Sequence, residues 1–164
     1  MNKTLFSIAI GCLLASNVFG QNTVKTQTVT LSINNILELD FDNTTQNLGF
    51  TFATASDFED GKTNLSAAGL KVRSNKAWNV SVKANTANFV TSGTGDLNVA
   101  ASTLSVRKNG STAAIPLSTT DQTLTTGAKG GFGLNTFQID YIAKPGYISP
   151  AVYTLGVTFT VTAP

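Results

Sequence analysis

No histidine occurs in the 164 residues, and the one cysteine is Cys12. Ser-His-Asp and Cys-His nucleophiles are therefore excluded, together with the usual zinc and copper ligand sets. Ser105-Val106-Arg107-Lys108 has the Ser-x-x-Lys spacing of penicillin-recognising enzymes, but that chemistry needs a helix start and companion motifs. Here Leu104 and Val106 alternate with polar residues, so the match lies along a strand and reads as coincidence. The run Gly127-Ala128-Lys129-Gly130-Gly131-Phe132-Gly133 is glycine-rich, yet it has neither the P-loop spacing nor the dinucleotide fingerprint. It reads as a loop between strands, with Lys129 and Phe132 expected at its tip.

Carboxylates are the remaining chemical resource. Asp57, Glu59 and Asp60 precede Gly61, and Asp40, Asp42 and Asn43 close an earlier apolar segment. Loop carboxylates can supply the oxygen cage that calcium needs, which makes the first group weak calcium candidates and the second weaker still. The plainer reading is a pair of solvated turns whose charge discourages edge pairing. Glu38 and Asp40 share an outward face beside Leu37, Leu39 and Phe41, and so do not flank a cleft as a glycosidase pair must. The expectation is a protein with no catalytic residues and no cofactor beyond that calcium possibility.

The aromatics divide by phase. Trp78 is in register with Val80 and Val82, the inward set of its strand, and belongs in the core. Phe58, Phe132 and Tyr147 fall between apolar segments. They form the speculative binding surface, suited to a carbohydrate or a peptide.

The elements that position these residues are strands. Apolar residues recur with a period of two at Val29, Leu31 and Ile33; at Leu37, Leu39 and Phe41; at Leu48, Phe50 and Phe52; and at Leu70 and Val72. The alternation continues at Trp78, Val80 and Val82; at Leu97 and Val99; at Leu104 and Val106; and at Phe137, Ile139 and Tyr141. It ends with one long run of a single parity, Tyr153, Leu155, Val157, Phe159 and Val161. Such alternation places one face on a core and the other in water. Asn109-Gly110 is the dipeptide of a type I′ hairpin turn, with Ile115 and Leu117 returning from it. The acidic stretch 55–62 reads as a loop ending in a turn. Eight or nine short strands without helix predict an all-β, two-sheet sandwich of immunoglobulin-like, Greek-key type. A closed barrel is the alternative. The Thr-x-Thr runs at 26–30 and 158–162 belong to no repeated coil, so they read as strand exteriors and not as an ice-binding ladder.

Lys3, the apolar residues from Leu5 to Leu14, and Val18-Phe19-Gly20 have the three parts of a secretory signal peptide. The domain reading is 1–20 signal peptide and 21–164 a single sandwich, secreted to the periplasm or cell surface. Ala9-Ile10-Gly11-Cys12 loosely resembles a lipobox, but the residues after Cys12 stay apolar. The mature chain has no cysteine for a disulfide, and no later segment is apolar enough for a transmembrane helix. Eleven Lys and Arg against nine Asp and Glu give no clustered basic face, so nucleic acid is not an expected partner.

Three segments together resemble secreted bacterial β-sandwich proteins of the fimbrial-subunit and spore-coat-U-like kind. They are the strand, turn and Trp-bearing strand from Leu70 to Val82; Leu104-Ser105-Val106 leading to a hairpin; and the ending from Gly146 and Tyr147 to Thr162. The resemblance implies an exported structural or adhesive surface protein, associating with like subunits or with cell-surface and matrix components. Subunits of that kind accept a strand from a neighbour. In this reading only the few residues from Gln21 to Thr26 precede the core pattern, with Val24 as their single strong apolar residue. The alternative is a secreted carbohydrate- or peptide-binding module.

Overall fold

Alternating β-branched and aromatic residues favour the pleated backbone, and in a computed structural model that describes residues 23–42 and 48–164 they form ten strands. The expected signal peptide, residues 1–20, lies outside the described residues, as do Cys12 and Asn43. Asn34 to Pro164 make up one compact unit, to which residues 23–33 do not belong.

Within 34–164 the order is β1 (Leu37–Phe41), α1 (Ala55–Asp60), β2 (Lys62–Ser74), β3 (Trp78–Ala84), β4 (Val90–Ser92), a single 3₁₀ turn (Ala101–Thr103), β5 (Leu104–Lys108), β6 (Ile115–Pro116), β7 (Gln122–Gly127), β8 (Thr136–Ala143), β9 (Val152–Thr154) and β10 (Val157–Thr162). A five-stranded sheet has the order β1-β2-β8-β5-β6, a three-stranded sheet β10-β3-β7, and β4 and β9 pair separately. Every pairing is antiparallel. Consecutive strands β2 and β3 lie in different sheets, as do β7 and β8. The chain therefore crosses the core repeatedly, as a Greek-key sandwich requires.

The core lies between the two larger sheets. Leu70 and Val72 of β2, Val106 of β5 and Ile139 of β8 meet Val80 and Val82 of β3, all buried. Trp78 stacks on Phe137 across the gap at 6.2 Å and 12°. Its indole N–H donates to the carbonyl of Ala128 at 2.9 Å, which satisfies the ring's only polar atom. Trp78 is thus a core residue, as its phase predicts. The indole lies so close to Gly127 that a Cβ there would overlap it.

Leu48, Phe50 and Phe52, and likewise Leu97 and Val99, lie in no strand although they alternate, and four more expectations need correction. Val29, Leu31 and Ile33 form no strand, and they stand 74%, 82% and 81% exposed. The long final run is two strands: β9 pairs with β4 and β10 with β3. The break falls at Gly156, whose carbonyl accepts from Asn85 N–H at 2.9 Å and where a side chain would strike Asn85. Stretch 55–62 contains a helix. Thr54 caps it by accepting from Asp57 N–H, and the Asp57 carboxylate returns to the Thr54 N–H, a reciprocal pair that satisfies N-terminal donors. Finally, in the turn at Asn109-Gly110 only Gly110 has positive φ, so the turn is not type I′. The Asn109 side chain is engaged elsewhere, donating to Asp140 Oδ1 at 2.8 Å.

Candidate assembly groove

Burial in the sandwich is uneven, and the outer strands are less covered than the central ones. Val80 and Val82 on β3 are fully buried, as is Ile139 on β8. The inward residues of β1 (Leu37, Leu39, Phe41), of segment 48–52 (Leu48, Phe50, Phe52) and of β10 (Val157, Phe159, Val161) are only partly buried, though all pack on the same core. β1 and β10 are the outer strands of their respective sheets. They approach each other across the gap, where Phe41 meets Phe159 edge-on at 6.4 Å and 88°. The inward rows of β1, segment 48–52 and β10 are therefore only half covered at this margin of the sandwich.

β10 has a ladder partner on one edge only, β3. Among the described residues no strand pairs with its other edge. That edge offers backbone donors and acceptors above a half-covered apolar row, which is a template for a further strand. Such a strand would need apolar residues at every second position, about five residues long to match Val157, Phe159 and Val161.

The residues singled out from sequence fall in different places. Phe58 on α1 and Tyr147 are brought together, stacked at 5.3 Å and 15°. Phe58 also meets Phe52 at 5.6 Å, and Tyr147 donates its hydroxyl to Glu59 Oε1 at 3.1 Å. Phe132 lies apart from them, beneath the Arg73 guanidinium at 4.2 Å and the Lys71 ammonium at 5.3 Å. Leu134 is the apolar residue that this glycine-rich loop exposes.

The acidic group does not form a cage. Asp57 accepts from the N–H groups of Ala53 and Thr54 and pairs with Lys62 at 3.1 Å. Those backbone donors, with Lys62 beside them, lower its pKa to about 2. Asp60 accepts from the Ser56 hydroxyl at 2.8 Å, while Glu59 serves Tyr147. The three carboxylates thus point to three different partners, and among the described residues no group of three metal-ligating side chains converges. They do not fit the oxygen shell of calcium. Of the second group, Asp40 pairs with Lys71 at 3.6 Å, and Glu38 beside it pairs with Arg73 at 3.1 Å. Both are cross-strand pairs, in register between β1 and β2.

The most elaborate polar cluster surrounds Asp140, a residue that the alternation places on the solvent face of β8. It is fully buried. Leu65, Ser66 and Ala67 of β2 stand opposite Asp140 alone, because the register shifts between Asn64 and Ala68. This bulge covers the carboxylate. Ser66 N–H donates to Oδ1 at 2.9 Å, Asn109 to Oδ1 at 2.8 Å, and the Arg107 Nε to Oδ2 at 2.9 Å. Burial by itself raises the pKa of Asp140, but donation from Asn109, Ser66 and Arg107 outweighs it, and the net shift is downward. Ser66 is the one non-glycine residue with positive φ among those described, at 50°. Its N–H bond to Asp140 is a local reason for holding that costly conformation.

No family model matches the chain. No curated protein matches it either. Among solved structures, it resembles a chain of a chaperone–usher pilus, with a TM-score of 0.47, 10% identity, and coverage of 88% of this chain and 97% of that one. It also resembles the P pilus rod subunit PapA, with a TM-score of 0.45, 10% identity, and coverage of 87% of this chain and 100% of that one. No helix among the described residues is long and apolar enough to cross a membrane.

Proposed function

We propose that this chain is a non-enzymatic structural subunit of an exported surface assembly, in which segment 23–33 of one copy lies along β10 of the next. The observation that carries the reading is a match within one sequence. Among the described residues the edge of β10 lacks a strand with alternating apolar residues, and Val29, Leu31 and Ile33 supply that alternation outside any strand. Paired residues of an antiparallel ladder share a face. Val29, Leu31 and Ile33 would then cover the exposed sides of Val157, Phe159 and Val161, while Thr28, Thr30 and Ser32 would join Thr158, Thr160 and Thr162 outside.

Main-chain bonds give such an addition its strength, and the alternate side chains fix its register. The scarcity of catalytic side chains in the mature sequence suits a structural role. The reading also lengthens the donor that the sequence alone offers, since the sandwich begins at Leu37 and not at Thr28.

The test compares the purified mature chain with Leu31→Asp by gel electrophoresis without heating and by ultracentrifugation. The expected result is a ladder of multimers for the unmodified chain and a folded monomer for Leu31→Asp. A chain that stays monomeric at high concentration, or a variant that assembles equally well, overturns the reading.

A further inference from the structure

We propose that Asn109 is a site of spontaneous deamidation, and that its conversion loosens the cage around Asp140. Asn109 is the only asparagine of the chain that precedes a glycine. With no side chain on Gly110, its backbone nitrogen approaches the Asn109 side chain unhindered. Both residues are exposed, and apart from its chain neighbours no atom lies within 4 Å of the Cβ position of Gly110. Among the described residues the Gly110 N–H has no acceptor, whereas the amides on either side, of Asn109 and Ser111, donate to the carbonyls of Gln138 and Lys108. The attacking nitrogen is thus the one left free in this turn. Asp60-Gly61 is the contrast, because the Gly61 N–H is tied to the Asp57 carbonyl at 3.1 Å.

The reaction needs only water. The Gly110 nitrogen bonds to Asn109 Cγ and gives up its proton, the Cγ–Nδ2 bond breaks, and Nδ2 leaves as ammonia. Water then opens the cyclic imide at one of its two carbonyls. One opening leaves aspartate; the other leaves isoaspartate, in which the main chain runs through the former side chain. Either product removes the Nδ2–H that donates to Asp140 Oδ1 at 2.8 Å, and either adds a negative charge to the turn. Asp140 is fully buried, and its remaining donors are the Ser66 N–H and Arg107 Nε. A buried carboxylate that loses a donor and gains a like charge nearby is less stable in its ionised form. The bulge of β2, joined to Asp140 through Ser66, is then held less firmly. The inference does not depend on strand donation.

Peptide mass mapping of the mature chain, aged in mildly alkaline buffer, tests it. The peptide containing Asn109 should show the amide-to-acid mass gain roughly tenfold faster than any other asparagine, since only here is the following residue a glycine. Asn109→Gln should abolish the gain at this position, because the longer side chain would have to close a larger ring. Asn109→Asp, which makes one product directly, should unfold at a lower urea concentration than the unmodified chain. It should also fall below Asn109→Ala, which loses the donor without adding charge. If Asn109→Asp does not fold, the fresh and aged fractions of the unmodified chain, separated by charge, give the same comparison. The proposal is overturned if the Asn109 peptide ages no faster than the others, or if the converted chain is as stable as the unmodified one.

Discussion

Phe41 and Phe159 meet edge-on, 6.4 Å apart, where the outer strands β1 and β10 approach each other. Each ring is only partly buried, though both belong to the apolar set that packs on the core. Phe159→Ala should cost less than the 3–5 kcal/mol typical of a fully enclosed phenylalanine, about 1–2 kcal/mol in the monomer. If a donated strand covers the same ring, the loss in the multimer will be larger. Urea unfolding of the monomer and thermal dissociation of the multimer measure the two quantities separately.

Removing the Asp140 carboxylate should be more damaging. Asp140→Asn leaves Arg107 beside a neutral group under the bulge, and loss of a buried ionic partner costs about 3 kcal/mol. The sign with pH follows from the downward shift. A carboxyl whose folded pKa lies below its unfolded value, about 3.9, adds stability above that value and loses it as pH falls through the folded pKa. The gap between the unmodified chain and Asp140→Asn should therefore be full at pH 7 and close in strong acid. Denaturant midpoints at a series of pH values would show it.

Gly127→Ala should destabilise the sandwich by about 1–3 kcal/mol through overpacking. The added methyl group meets the Trp78 ring, which is fixed by Phe137 and by its bond to Ala128. A shifted Trp78 emission maximum in the folded variant, together with a lower melting temperature, is the expected pair of changes. Gly131→Ala is the control, since no neighbour lies near its Cβ position.

Asp57 should titrate at about 2 in the folded chain, held there by the Ala53 and Thr54 N–H groups and by Lys62. Its contribution to the cap of α1 is complete above the unfolded value and disappears as pH falls towards 2. Carboxyl carbon shifts followed by NMR give the value directly. Thr54→Ala should raise it, because Thr54 anchors the other half of the cap.

The sequence makes the inner faces legible and the partners much less so. Trp78, Val80, Val82, Phe137 and Ile139 are where their parity places them. Periodicity, however, records which way a side chain points and not which strand lies alongside. The run from Tyr153 to Val161 keeps one parity through Gly156 while the chain exchanges β4 for β3 as its neighbour. Val29, Leu31 and Ile33 keep the pattern with no neighbour in any sheet. Alternation there marks a capacity to pair, which local sequence cannot assign to a particular fold.

The candidate sites were hidden for related reasons. Asp140 has outward parity and would be solvated on a regular strand; only the bulge across from it makes it a buried acid. Thr54 and Asp57 do carry a readable capping signal, but six helical residues are too few to show a period of 3.6. Phe58 and Tyr147 are 89 positions apart (147 less 58), and no spacing rule joins them before the fold does.

The bulge in β2 has one further consequence. Three residues facing one leave a surplus of two, and two is a whole period of a strand. Leu70 and Val72 beyond the bulge consequently remain in phase with Lys62 and Asn64 before it, and the sheet keeps a single inside. A two-residue deletion between Asn64 and Ala68 would preserve the sidedness of the strand and remove the lid over Asp140, leaving a regular ladder where the bulge now stands.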